Sequence, residues 1–458
     1  MISPSQHKKR RQTLQHKIQS PIVLMGHGHR ARNFRANTLP FRQESNFLFF
    51  TGCQLPNSAL YLDENREILF LTPKDSDDAL WHGPSLSMEE QAQKLGFSTV
   101  QDIKELPNYL SKDTTKSIAT QDESINAFLS QHLHDVFCSG SQQEQWGDRE
   151  LIDSIASLRI QLDEEEIQEM RNTAKITAQA HIAAMKHTQI GRSEAYIASI
   201  FHQIIASEGL CTAYDSIVTV DGHILHNHYY HNILKDGQLL LLDGGAEAQS
   251  GYATDVTRTW PVNGVFNGLQ RRAYEAVLQA QKESIAQLAV GVRYRDIHMT
   301  TCRVLAEFLK EEKIVNCTVE EILEHGTHAL FFPHGVGHLI GLDVHDMEHF
   351  GDIPTYPNGR KRSSQFGTGY LRLDVDLQPN MVVTIEPGFY IIPAILQNDD
   401  LVAPHRHRIN WEVLEHWKGF GGIRIEDDVR ITKTESENLT AEIPKEILDI
   451  ESLVGQQS

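Results

Sequence analysis

The sequence predicts an α+β protein in two parts divided near residue 160, and three observations predict it. Residues 20–160 contain short apolar runs of buried-strand length at 22–25, 59–62 and 68–71, which read as one α/β unit. From Asp163 onward, long helical periodicities alternate with apolar strands. Two of those strands run straight into a carboxylate, Asp243 and Glu386. The chain has 458 residues, enough for two or three domains and a large core.

Composition narrows the function classes. The formal charge of −19 argues against a general nucleic-acid binder and for a soluble cytoplasmic protein. No apolar run approaches the roughly 18 residues that a membrane helix needs. The five cysteines (Cys53, Cys138, Cys211, Cys302, Cys317) show no paired metal spacing. They read as small buried apolar residues in a reducing compartment. Lys8-Lys9-Arg10-Arg11 is not followed by an apolar core of signal-peptide length and reads as a solvated basic end.

In the first part, residues 40–47 lead into Phe49-Phe-Thr-Gly52, and no acid or histidine cluster with ligand spacing occurs. Trp81-His82-Gly83 reads as a packed aromatic beside a surface histidine. Residues 139–150 are polar and turn-rich, as a linker would be, and 151–159 read as a short helix. Asp163 and Glu166 form a capping-box-like pair. Ile167, Met170, Ala174, Ala178 and His181 then share one helical face, and Gly191 ends it.

In the second part, 216–220 is a strand candidate and Asp221-Gly222 a turn. His226 follows an apolar pair and is expected to aim inward, whereas His228 and His231 are expected in solvent. Residues 238–242 form an apolar strand ending in Asp243. Residues 244–251 turn the chain back, and 254–260 return with Asp255, Thr257 and Thr259 on one face. Two carboxylates aimed at one point repel and lose hydration, and a metal ion removes that cost. Turn-flanking aspartates are the plainer alternative, weakened by the four leucines before Asp243. Helices are expected at 268–288, 294–311 and 321–330.

Residues 332–346 then place His334, His338 and His345 among Gly335, Gly337 and Gly341. Imidazoles on such a frame suggest a metal or acid/base site. In a chain with 24 histidines, a His-rich surface loop is an equal reading until the flanking acids are added. Residues 351–372 read as an exposed loop with a basic tip, and 393–419 as irregular. Residues 382–385 form a strand ending in Glu386, and 421–429 a strand with Arg424, Glu426 and Asp428 on one side.

Five motifs in this order resemble one family: Leu242-Asp-Gly-Gly-Ala-Glu, Tyr252-Ala-Thr-Asp-Val-Thr-Arg-Thr, the segment 334–346, Thr384-Ile-Glu-Pro-Gly and Gly422-Ile-Arg-Ile-Glu-Asp-Asp. Residues 165–440 resemble the pita-bread metallopeptidases, in the branch of Xaa-Pro aminopeptidase (aminopeptidase P) and prolidase. Residues 40–52 are similar to that family's leading domain. The resemblance implies an N-terminal α/β creatinase-like domain at 1–160 and a catalytic pita-bread domain at 161–458. It implies two divalent metal ions, manganese first, held by Asp243, Asp255, His338, Glu386 and Glu426, with Asp255 and Glu426 bridging. It makes Glu386 a proton shuttle, His226 and His345 substrate and oxyanion contacts, and His334 and Arg424 supporting residues. The implied reaction is removal of the residue before a proline by an ionised bridging water, in a homo-oligomer. Pro40-Phe-Arg-Gln-Glu-Ser and Arg424-Ile-Glu-Asp-Asp lean towards aminopeptidase P over the prolidase-type dipeptidase. A non-catalytic pita-bread binding protein is the rival from another class.

Overall fold

The computed structural model describes residues 1–74, 77–139 and 146–456. The chain forms two compact units, one of Met1–Ile160 with Met347–Pro354, the other of Gln161–Asp346 with Thr355–Ser458. Among the described residues no helix is long and apolar enough to cross a membrane.

In the first unit, strands β1 (Ile22–Met25), β2 (Ala59–Leu62), β3 (Glu67–Leu71) and β4 (Val100–Asp102) form one sheet in that order. The first three pair antiparallel and β4 joins parallel to β3. Val23, Tyr61, Ile68 and Phe70 pack on Leu106, Leu129 and Phe137, so one face of each apolar run is core. The basic run at 8–11 is not simply solvated. It lies in helix α1 (Pro4–Lys17), which Ser3 caps by accepting from the Gln6 N–H. Lys8 and Lys9 face water, but Arg10 and Arg11 are buried. They donate to the Phe49 and Phe50 carbonyls at 3.1 and 2.9 Å, at the end of helix α2 (Ser45–Thr51), whose last carbonyls lack helical donors. Arg11 also pairs with Glu67 and lies 3.9 Å from the Phe97 ring centroid.

Trp81 departs from expectation too: its short helix, Asp78–His82, buries none of its residues and leaves the indole 76% exposed. Within the turn-rich stretch at 139–150, residues 140–145 lie outside the described residues, and Asp148 caps the helix Arg149–Arg159. Of the cysteines, only Cys53 and Cys302 are buried.

The second unit opens on α3 (Glu164–His187), with the Asp163/Glu166 capping box formed, and α4 (Glu194–Ser207). The first helix ends at His187, short of Gly191, because Thr188 turns extended and its hydroxyl donates to the Ala184 carbonyl. Strands β5 (Ile217–Thr219), β6 (Leu239–Asp243) and β7 (Thr257–Pro261) pair antiparallel around β6, with Asp243 opposite both Ile217 and Thr257. Helices α5 (Gly268–Ala286) and α6 (Tyr294–Glu311) follow. Strands β8 (Val382–Ile385), β9 (Gly388–Tyr390), β10 (Gly422–Arg424) and β11 (Asp427–Ile431) complete the frame, β8 pairing with β11 and β9 with β10. The core joins β6, β7 and the four helices through Leu240, Leu242, Trp260, Tyr274 and Phe308.

Two expected strands are shorter than the apolar pattern. Asp255 precedes β7, because its N–H points to the Asp428 carboxylate at 3.2 Å instead of a ladder carbonyl. The strand at 421–429 breaks at Ile425 and Glu426, whose N–H groups go to the Pro387 and Thr257 carbonyls. That break ties β10 and β11 to β7. The expected loop at 351–372 is also corrected: Thr355, Tyr356, Thr368 and Leu371 are buried, and the Tyr356 hydroxyl donates to the Leu371 carbonyl. Residues 393–419, expected irregular, contain short helices at Pro393–Leu396, Asp399–Val402 and Trp411–Glu415.

Candidate active site

A cleft of about 990 Å³ in the second unit collects the ends of these strands. Asp243, Asp255, His338, Glu386 and Glu426 all line it, as do His226, His334, His345 and Arg424. Backbone geometry aims them. His338 lies beside β8: its N–H donates to Thr384 Oγ1 and its carbonyl accepts from the Thr384 N–H, each at 3.0 Å. Gly337 permits that approach. Its φ is 154°, and a Cβ there would sit 2.2 Å from the Thr384 carbonyl oxygen.

The imidazole of His338 is set up as a ligand. Its Nδ1–H donates to the Leu339 carbonyl at 2.9 Å, which leaves the Nε2 lone pair facing Asp255 Oδ2 at 3.4 Å and Glu386 Oε1 at 3.9 Å. Burial, with His345 beside it, keeps this ring neutral by lowering its pKa. The acids behave as uncompensated charge. Burial and the Asp255 and Asp243 carboxylates push Glu386 up to about 8, against the pull of Arg424. Glu426 is raised well above the carboxylate range by burial and by Asp255, Glu386 and Asp243. Asp243 is raised by burial, while Asp255, which burial would also raise, is lowered on balance, with the Tyr214 hydroxyl donating to it.

Among the described residues, ligand atoms converge in three groups, each within 4.8 Å: Asp243/Asp255/Glu426, His338/Glu386/Glu426 and Asp255/His338/His345. The first two share Glu426 and together contain all five side chains expected as donors. Four crowded carboxylates, three of them raised, with one guanidinium and one neutral imidazole, fit two divalent cations. His345, expected only as a substrate contact, also stands at ligand range, its ring 4.1 Å from that of His338.

The supporting residues differ from expectation in detail. Arg424 donates directly to Asp243 at 2.5 Å and reaches Glu426 only through Thr257, whose hydroxyl accepts from Arg424 Nε and donates to Glu426 at 2.7 Å. His334 donates through Nδ1 to the Gly335 carbonyl and accepts at Nε2 from the Tyr390 hydroxyl at 2.9 Å. Burial and Arg424 lower its pKa to about 3, so it is neutral. His226 is exposed yet lines the cleft, and its neighbour Asn227 is the buried one, donating to Thr219. His228, expected only in solvent, also lines the cleft.

Sequence reasoning missed Tyr214, whose hydroxyl lies 2.6 Å from Asp243 and 2.5 Å from Asp255. It also missed Tyr390, Arg362 and Arg372. Tyr214 follows Cys-Thr-Ala with no spacing that marks it. The signal for Thr257 was present, since it shares the alternate face with Asp255.

A buried cluster of carboxylates and one imidazole, taken with the likenesses that follow, marks a metallo-exopeptidase. Residues 168–433 match the metallopeptidase family M24, to which the chain belongs, and residues 7–120 match the aminopeptidase P N-terminal domain. A probable Xaa-Pro aminopeptidase of Verticillium alfalfae is 34% identical, over 91% of this chain and 88% of its own length. The human Xaa-Pro dipeptidase is 30% identical, over 95% and 89%. A histidine-to-alanine variant of Escherichia coli aminopeptidase P superposes with a TM-score of 0.82 at 29% identity, covering 99% of this chain and 98% of that one.

Proposed function

We propose that the chain removes the first residue from peptides with proline second, using two divalent ions, manganese first. The carrying observation is the convergence of Asp243, Asp255, His338, Glu386 and Glu426 in two groups that share a carboxylate. Asp243, Asp255, His338, Glu386 and Glu426 would together hold the two ions. When bound, the ions supply an ionised water near neutral pH and polarise the scissile carbonyl. Hard oxygen donors dominate, which suits manganese.

The chain's own residues do the rest. Glu386 would carry the proton from the attacking water to the leaving proline nitrogen. His226 and His345 contact the substrate and donate to the oxygen that gains charge. Arg424 and His334 hold Asp243 and Tyr390 in place. A bond to proline is a tertiary amide with no N–H to recognise, so a site that grips the carbonyl suits it. The complete donor set counts against a non-catalytic binding protein. Likeness to the family supports a homo-oligomer.

A dipeptidase is the second reading, favoured by Arg362 and Arg372 on the cleft wall, where a substrate carboxylate would find two guanidiniums. Steady-state kinetics on Xaa-Pro, Xaa-Pro-Yaa and their N-acetylated forms with manganese decide. The aminopeptidase reading expects higher kcat/KM for Xaa-Pro-Yaa and no cleavage of acetylated peptides. Preference for the bare dipeptide moves the assignment to dipeptidase, and cleavage of acetylated peptides sinks the exopeptidase reading.

A further inference from the structure

Five carboxylates line the cleft, and four belong to the donor set. The fifth is Asp215, exposed and next in sequence to Tyr214, whose hydroxyl touches Asp243 and Asp255. The other four are committed: Asp243 to Arg424 and Tyr214, Asp255 to Tyr214 and His338, Glu426 to Thr257, Glu386 beside His334 and His338. Among the described residues the Asp215 carboxylate has no hydrogen-bond or ion-pair partner. It acts on His202, whose ring is bonded to Ser216, and on Tyr230, whose hydroxyl donates to the Ser216 carbonyl.

The cleft lining carries charge of both signs. Arg372 acts on His226, His334 and Glu386. Asp215 adjoins Tyr214 and Tyr230. A peptide has a cationic amino end and an anionic carboxyl end, so the arginines suit the leaving side and Asp215 suits the first residue. Ile217 and Leu225 line the cleft with Asp215. Apolar lining residues together with an uncommitted carboxylate suit a long amphipathic side chain, whose stem packs on apolar surface while its charged head pairs.

We propose that Asp215 is a specificity residue that selects peptides whose first residue is lysine or arginine. This rests on the exopeptidase reading of the same site. A partly exposed ion pair contributes a modest preference, about threefold or more in kcat/KM.

The test compares kcat and KM of the manganese-loaded full chain on three peptides, with lysine, leucine or glutamate before proline, at low salt and pH 8. The wild type is expected to favour lysine over leucine. In Asp215→Asn the lysine-to-leucine ratio of kcat/KM falls by about threefold or more, and in Asp215→Lys the order turns towards glutamate. Equal ratios in wild type and both variants overturn the proposal. So does a KM that rises alike for all three peptides, which would give Asp215 to the backbone ammonium. A wild type that cleaves none of the three, while binding manganese, overturns the reading of the site and this inference with it.

Discussion

Asp243 and Glu386 are legible because each ends a run of apolar strand residues, where packing alone would place no charge. His338 is legible because Gly337, beside it, must accept a backbone position that any side chain would obstruct. Tyr214 and Tyr390 were not legible, since a lone tyrosine carries no period and its role exists only once distant strands meet. His226 faces the cleft after its apolar pair, while Asn227 beside it takes the buried hydrogen bond. At this scale the account separates donors from substrate contacts. His226→Ala and His345→Ala are expected to retain both manganese ions by atomic absorption, with kcat reduced roughly a hundredfold or more. Loss of an ion from His345→Ala would make that residue a ligand, consistent with its range to Asp255 and His338. Wild-type kcat in both variants would leave the two histidines structural.

The strands that carry the donors are braced from beneath. Arg258, fully buried on β7, donates to the Glu426 carbonyl and to Asp427 Oδ1, both at 2.6 Å, and to the Ile443 carbonyl at 3.0 Å. Asp427, fully buried on β11, also accepts from Lys445, Gln281 and Thr440. Burial alone would raise the Asp427 carboxyl, but Arg258 and Lys445 outweigh it and bring it to about 2. The break between β10 and β11 was invisible in the alternating pattern at 421–429, because it is created by hydrogen bonds to β7 and to Pro387. The same is true of the N-terminal helix, whose burial of Arg10 and Arg11 depends on the free carbonyls of α2. Asp427→Ala removes one partner of a satisfied buried pair and is expected to cost about 3–5 kcal/mol in urea unfolding of the second unit. A loss below about 1 kcal/mol would show that the brace contributes little.

Across the whole molecule, metal and proton compete for one site. Glu386 is pushed up to about 8 and Glu426 well above its ordinary value, against about 4.3 in the unfolded chain. A carboxyl with a raised folded pKa adds stability that is full below the unfolded value and lost as pH rises through the folded one. The buried neutral His181, His298 and His334, lowered to about 3, act oppositely, but that effect is complete by about pH 6.5. The Tm of chelated protein is therefore expected to fall between about pH 6.5 and 8.5, while manganese binding displaces the protons and removes the fall. The gap between loaded and chelated Tm widens with pH. A gap that narrows over this window would mean that the carboxyls are not protonated in the metal-free fold.

The central claim is a proline-directed exopeptidase that needs two ions at one buried carboxylate cluster. The most direct measurement is kcat/KM on a Xaa-Pro-Yaa peptide as manganese is titrated into chelated protein, with bound metal quantified at each step. The account predicts no turnover without metal and a rise that levels at two ions per chain, absent in Asp255→Ala. Full turnover in metal-free protein would contradict it.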